Sequence, residues 1–162
     1  MGETTCFRCN KSFGDGNGLV LAKICEPCLS SLPSTSSVEL SSFLESLDLP
    51  AAFLNHDLTV RIPNSQLSRM INRYTDDLLG VTIGDALECT YAAEHDNCGK
   101  NQICLQCGVR RMADLARITG YRLVDIPITL RRKSVSEHKL LFTFAKAGEA
   151  ILILLKSAEG SN

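Results

Sequence analysis

Residues 51–65 read AAFLNHDLTVRIPNS. The apolar run Ala51–Leu54 enters Asn55-His56-Asp57, a cluster with turn chemistry, and Leu58 to Ile62 lead out of it before Pro63 and Asn64. Two short β-prone runs separated by Asn and Asp read as a strand, a turn and a second strand. QLSRMI follows and returns to helical spacing, so the stretch 51–71 predicts strand, turn, strand, helix.

Downstream, DLLGVTIGDALE (77–88) reads as short helical turns around Gly80 and Gly84. VRRMADLARIT (109–119) sets Val109, Met112, Ala113 and Ala116 on one helical face. Three strands close the chain. YRLVDIPITLRR (121–132) places Val124, Ile126, Ile128 and Leu130 on one face, and HKLLFTFAKA (138–147) does the same for Leu140, Phe142 and Phe144. AILILLKS (150–157) is apolar on both faces, as a central strand must be. Upstream, SSVELSSFLESL (36–47) predicts a short amphipathic helix. The Ser-rich SSLPSTSSVELSS (30–42) reads as a linker whose second half caps that helix.

On these residues the chain resembles the PAS domain. The opening hairpin with Asp57 in its turn and Asn64 after its second strand, the glycine-centred LLGVTIGDAL and the three closing strands carry the resemblance. It implies an α+β fold with a five-stranded antiparallel sheet in the order 2-1-5-4-3 and covering helices. That order makes the second and third strands edges. Pro63 and Pro127 fall in those two strands, and proline, lacking an N–H, belongs on edges. The expected organisation is a zinc-binding module at 1–32, a linker at 33–42, a PAS-like domain at 43–156 with a cysteine-rich insertion at 89–108, and a disordered tail at 157–162.

Eight cysteines fall into two quartets. Cys6, Cys9, Cys25 and Cys28 follow C-x2-C-x15-C-x2-C, in which two tight turns aim four thiolates at one ion. CFRCNKSF, a glycine-rich turn and CEPC at a helix start resemble the treble-clef group of zinc domains. A stretch this short buries too little apolar surface to fold unaided, so metal binding supplies the difference. Zinc is the expected ion, with a rubredoxin-like iron site as the alternative. GDGNG followed by LVLAKI predicts a turn and a short strand between the two pairs.

Cys89, Cys98, Cys104 and Cys107 follow C-x8-C-x5-C-x2-C, nearer to iron–sulfur runs than to zinc fingers and matching neither. Cys98-Gly99 with Cys104 and Cys107-Gly108 also resembles the CG…C..CG run of a group of bacterial sensor PAS domains. Three readings stand: a zinc or iron–sulfur site, a Cys104/Cys107 dithiol switch, or buried packing residues. His95 is an alternative fourth ligand. The PAS resemblance implies a small-molecule pocket beneath this segment. Of the flavin motif NCRFLQ only Asn97-Cys98 agree, and residues 109–119 hold no histidine for haem.

The 162 residues carry a net charge of −1, which favours neither nucleic acid nor an anionic membrane. Acids dominate residues 39–97 and bases dominate 108–139, which fits two partner faces or two faces that neutralise each other. MGETTCFRCNK lacks the basic and apolar regions of a secretory signal, and eight cysteines suit thiol chemistry in a reducing cytoplasm. No phosphate-cradling glycine loop, H-E-x-x-H or nucleophile elbow appears, so no enzyme is expected beyond thiol–disulfide exchange at Cys104-x2-Cys107. The expectation is a metal-binding sensory protein that signals through a protein partner or a homodimer. The alternatives are an adaptor with two structural zincs and a dithiol switch.

Overall fold

Two short hairpins open the chain. Around the Cys6–Cys9 turn, β1 (Thr4–Thr5) pairs with β2 (Ser12–Phe13), and beyond it β3 (Gly18–Leu19) pairs with β4 (Ile24–Cys25). The structure is a computed structural model that describes residues 2–14, 16, 18–94, 98–133 and 137–158. LVLAKI, expected as one strand, turns after Leu19: Val20–Ala22 form a 3-10 turn closed by Lys23 in the left-handed region at φ 49°. Gly18 is dictated by crowding, because a Cβ there would lie 2.5 Å from the Ile24 carbonyl oxygen and 2.6 Å from the Phe13 ring.

Cys25 caps α1 (Glu26–Ser31), which carries a proline in its first turn. The stretch 33–42, expected as a linker, is instead built into the fold. Leu32–Ser34 form a 3-10 turn with Pro33 buried, and α2 (Ser37–Glu45) starts inside the stretch, its Glu39 N–H donating to the Ser36 hydroxyl at 3.3 Å. The reason is an apolar stripe: Leu40, Phe43 and Leu44 are buried against the sheet while Val38 faces solvent.

Beyond it come β5 (Ala51–Leu54), β6 (Val60–Pro63), α3 (Ser65–Ile71), α4 (Ile83–Ala86), α5 (Thr90–Glu94), α6 (Gly108–Thr119), β7 (Leu123–Leu130), β8 (His138–Ala147) and β9 (Ala150–Ser157). The five long strands form one antiparallel sheet in the order β6-β5-β9-β8-β7, which is the 2-1-5-4-3 order expected. Pro63 and Pro127 lie on its two edge strands.

Asn64 pins the start of this sheet. Fully buried, its side-chain oxygen accepts from the Ala51 N–H at 3.0 Å and the Leu67 N–H at 2.9 Å, and its amide donates to the Leu44 and Leu49 carbonyls at 3.0 and 2.8 Å. One side chain thus satisfies the end of α2, the start of β5 and the N-terminus of α3.

The sheet is buried on both faces, and β9 shows how. Ile151, Ile153 and Leu155 join Ala52, Leu54, Phe142 and Phe144 on an inner face covered by α3, α4 and α6. Ala150, Leu152 and Leu154 join Ala51, Phe53, Ala145 and Ala147 on an outer face. That outer face is covered by α2 and by the cysteine module itself, through Cys6, Phe13, Ile24, Leu29 and Leu32. Phe43 stacks on Phe7 at 5.4 Å and tilts against Phe53 at 5.9 Å, joining module, helix and sheet. Arg61 donates to the Pro33 carbonyl at 3.0 Å and pairs with Glu149 at 3.1 Å. At the β8–β9 turn, Gly148 has φ 59° and leaves room for the Ser30 carbonyl, which a Cβ would meet at 2.7 Å.

Two further expectations are corrected. Val124 does not share a face with Ile126 and Ile128: the register shifts between Leu123 and Ile126, Asp125 adopts φ 52°, and Val124 turns outward. Ser157 and Ala158, assigned to a tail, continue the ladder with β8, Ala158 N–H donating to the Lys139 carbonyl at 3.3 Å; the rest of 157–162 lies outside the described residues. No helix among the described residues is long and apolar enough to cross a membrane.

Candidate functional site

The two quartets lie on opposite faces of the sheet. In the first, the Cys6–Cys9 turn is closed by the Cys6 N–H donating to the Lys11 carbonyl and the Asn10 N–H to the Cys6 carbonyl, both at 2.9 Å, with Asn10 at φ 59°. Phe7 N–H donates to the Lys23 carbonyl at 3.0 Å, bringing the second pair alongside. There Cys25 ends β4 as the cap of α1 and Cys28 sits in the first turns of that helix.

The four sulfurs lie within 4.8 Å of one another, and Cys9 Sγ is 3.7 Å from Cys25 Sγ. Four thiolates about 2.3 Å from one tetrahedral ion sit about 3.8 Å apart, so the donor set is close to that of a single metal ion. Charge agrees. At Cys6 burial acts upward, but the backbone groups of Cys25, Cys9 and Arg8 outweigh it and lower the thiol to about 6. Burial raises Cys25 and, together with the neighbouring sulfurs, pushes Cys28 up to about 12. The metal-free cluster therefore tolerates one thiolate readily and resists more, a charge problem that a divalent cation removes.

The second quartet is arranged differently. All four of its cysteines line a cavity of about 320 Å³ between the inner sheet face and the covering segment. The Cys89 N–H donates to the Gly84 carbonyl at 2.9 Å, and the next residue, Thr90, is tied to the Arg131 carbonyl at 2.8 Å. The Cys98 N–H donates to the Asp85 carboxylate at 3.3 Å, and its side chain lies over Gly84, where a Cβ would collide with Cys98 Sγ and lie 2.9 Å from its Cβ. Cys104 is buried in the 3-10 turn Gln102–Gln106, which the Asn101 side chain caps by accepting from the Ile103 N–H. Cys107 is the cap of α6, its carbonyl accepting from the Arg111 N–H at 3.0 Å.

Burial pushes the Cys98 thiol up, and the Cys107 and Cys104 sulfurs add to that against the Gly84 backbone and the Thr82 hydroxyl. Yet among the described residues no three of these four sulfurs come within 4.8 Å of one another. Among the described residues the four sulfurs do not meet at a point for a single ion; they ring a volume. Apolar Leu58, Ile83, Leu87, Val109, Ile128 and Leu130 supply most of the remaining wall, with Arg110 and Arg131 at its polar margin. Among the described residues no carboxylate lines it. His95, the alternative ligand, lies outside the described residues.

No protein-family model matches the chain, and no curated protein matches it. Solved structures do. A LOV protein of Rhodobacter sphaeroides superposes at a TM-score of 0.54 with 13% identity, over 76% of this chain and 66% of that one. VqmA of Vibrio cholerae, bound to DPO, superposes at 0.53 with 11% identity, over 77% and 60%. The PAS domain of the Cronobacter turicensis quorum-sensing receptor RpfR, in complex with BDSF, does so at 0.51 with 8% identity, over 69% and 95%. At these identities the likeness establishes the fold, which is that of PAS domains.

Proposed function

We propose that this protein is a sensory module of signal transduction whose cavity thiols receive the signal, with zinc bracing the outer face of its sheet. One observation carries the reading: four cysteines spread over residues 89–107 all reach a single cavity beneath the segment that covers the sheet. Residues kept only for packing have no reason to converge on an open volume; thiols that meet a ligand or one another do. The PAS-fold receptors that resemble it, RpfR in complex with BDSF and VqmA bound to DPO, are ligand-bound proteins, which supports a receiving role for the cavity here.

Cys6, Cys9, Cys25 and Cys28 would hold the zinc, which supplies a crosslink and no reaction. The signal path is short. Any ligation or oxidation at Cys104 and Cys107 acts on the 3-10 turn at 102–106 and on the start of α6. Val109, Ala113 and Ala116 of α6 pack into the inner core with β8 and β9, so a shift there reaches the central strands. Output then passes to a partner protein or a second copy in the cytoplasm, where thiols stay reduced until challenged.

Hydrogen exchange tests this. With the knuckle metal bound, a small thiol reagent that modifies the cavity cysteines should change protection across 83–119 by about tenfold or more, equivalent to about 1.4 kcal/mol of local opening. Unchanged exchange in that segment after complete modification would remove the sensory reading.

A further inference from the structure

We propose that the cavity thiols Cys89, Cys98, Cys104 and Cys107 form the cradle of an iron–sulfur cluster, while the N-terminal quartet takes a single ion. The inference rests on reading the cavity as the receiving site and names what occupies it.

The contrast between the two quartets is the first argument. Sulfurs that share one ion must stand at the edges of a small tetrahedron, as Cys9 and Cys25 do at 3.7 Å. Those of the cavity open into a common 320 Å³ without three of them closing to 4.8 Å among the described residues. A single ion would have to draw the wall inward, moving the base of α6 and the Gly84–Cys98 contact. A group with several metal atoms bonds thiolates that stand apart, and fills the space between them.

The donor set is the second argument. Four thiols line the cavity with one phenol, Tyr91, and no histidine or carboxylate among the described lining residues, a donor set that favours iron–sulfur, zinc or monovalent copper over hard ions. Cys104 is more than nine-tenths buried, and its Sγ has no hydrogen-bond partner among the described residues. A buried thiol facing an open volume, unpaired, is a ligand in waiting more readily than a packing residue.

Charge is the third. Iron–sulfur clusters with four thiolates are anionic, and the charged residues among the described lining are Arg110 and Arg131, while the Asp85 carboxylate, bonded to the Cys98 N–H, lies outside that lining. Cys107 at the N-terminus of the twelve-residue α6 adds the positive end of a helix dipole.

The test is reconstitution of the full chain under anaerobic conditions with ferrous and ferric iron, sulfide and zinc, followed by desalting and analysis of iron, sulfide and zinc. The expected result is iron and acid-labile sulfide in equal amounts, a brown visible absorption and one zinc. In the Cys104→Ser/Cys107→Ser variant, iron and colour fall to background while zinc and the far-UV circular dichroism stay. A second zinc in place of iron overturns the cluster, and so does a cavity that retains no metal or that returns a Cys104–Cys107 disulfide. Hydrogen exchange on the same samples separates the two readings. An iron-free cavity whose thiol modification still alters exchange at 83–119 removes the cluster and leaves the sensory cavity standing.

Discussion

Replacing Phe43 with alanine probes whether the cysteine module and the sheet are one body. The ring is buried, stacked on Phe7 of the module at 5.4 Å and set against Phe53 of β5 at 5.9 Å. Loss of a buried phenylalanine costs about 3–5 kcal/mol, the upper end applying where neighbours cannot collapse into the gap. Here the neighbours are two further rings held by separate elements, so the void stays and the loss should reach about 4 kcal/mol. With a urea dependence of about 2 kcal/mol per molar, the midpoint falls by about 2 M. Two probes should be followed on one sample: far-UV circular dichroism for the sheet, and release of the metal bound by the N-terminal quartet to a colorimetric chelator. A shared core requires both transitions to move down together. If metal release shifts while the sheet transition stays in place, the module is an appended finger that does not share the sheet's core.

Gly84→Ala drives a methyl into Cys98, so it should cost about 1–3 kcal/mol and make Cys98 alkylate faster in the native state, read by mass spectrometry. Asn64→Ala strands the Ala51 and Leu67 N–H groups and takes the amide partner from the Leu49 carbonyl, while the Leu44 carbonyl keeps the Leu47 N–H, and denaturant unfolding should show a loss of about 3 kcal/mol or more. Asp57 is held below the usual carboxylate range by the Thr59 hydroxyl and N–H. Because its folded value is depressed, its contribution is present above the unfolded value of about 3.9 and is lost as pH falls through the folded one. Asp57→Ala should therefore flatten part of the acid dependence of stability below about pH 4, measured by unfolding across pH.

The sheet was legible because its strands obey simple rules. The PAS resemblance implies the strand order, and Pro63 and Pro127, which must avoid central ladders, and AILILLKS, apolar on both faces, agree with it. The first cysteine quartet was equally legible, since C-x2-C pairs leave the backbone little freedom once four sulfurs converge. The cover of the outer face was missed, although its signal was present. Ala51, Phe53, Leu152 and Leu154 are apolar on the face away from the covering helices and need something to bury them; the helix over 36–47 was legible, but nothing in its sequence says that it and the cysteine module pack on that face. Val124 was misplaced because alternation assumes a regular ladder, and the bulge at Asp125 depends on its partner strand. The second quartet could not be resolved from spacing: whether four thiols meet at a point or ring a cavity is decided by α6, Gly84 and the 3-10 turn, which lie far apart in sequence.

The eight cysteines, four converging and four lining a cavity on opposite faces of one sheet, should fall into two reactivity groups. Native-state alkylation, read for each cysteine by mass spectrometry before and after chelation of metal, measures this directly. The account predicts that Cys6, Cys9, Cys25 and Cys28 become reactive together when the knuckle loses its ion. It predicts that Cys89, Cys98, Cys104 and Cys107 form a second group, protected together by whatever fills the cavity and exposed together when that is removed. Eight independent rates, or a cavity group in which one cysteine responds and three do not, would contradict it.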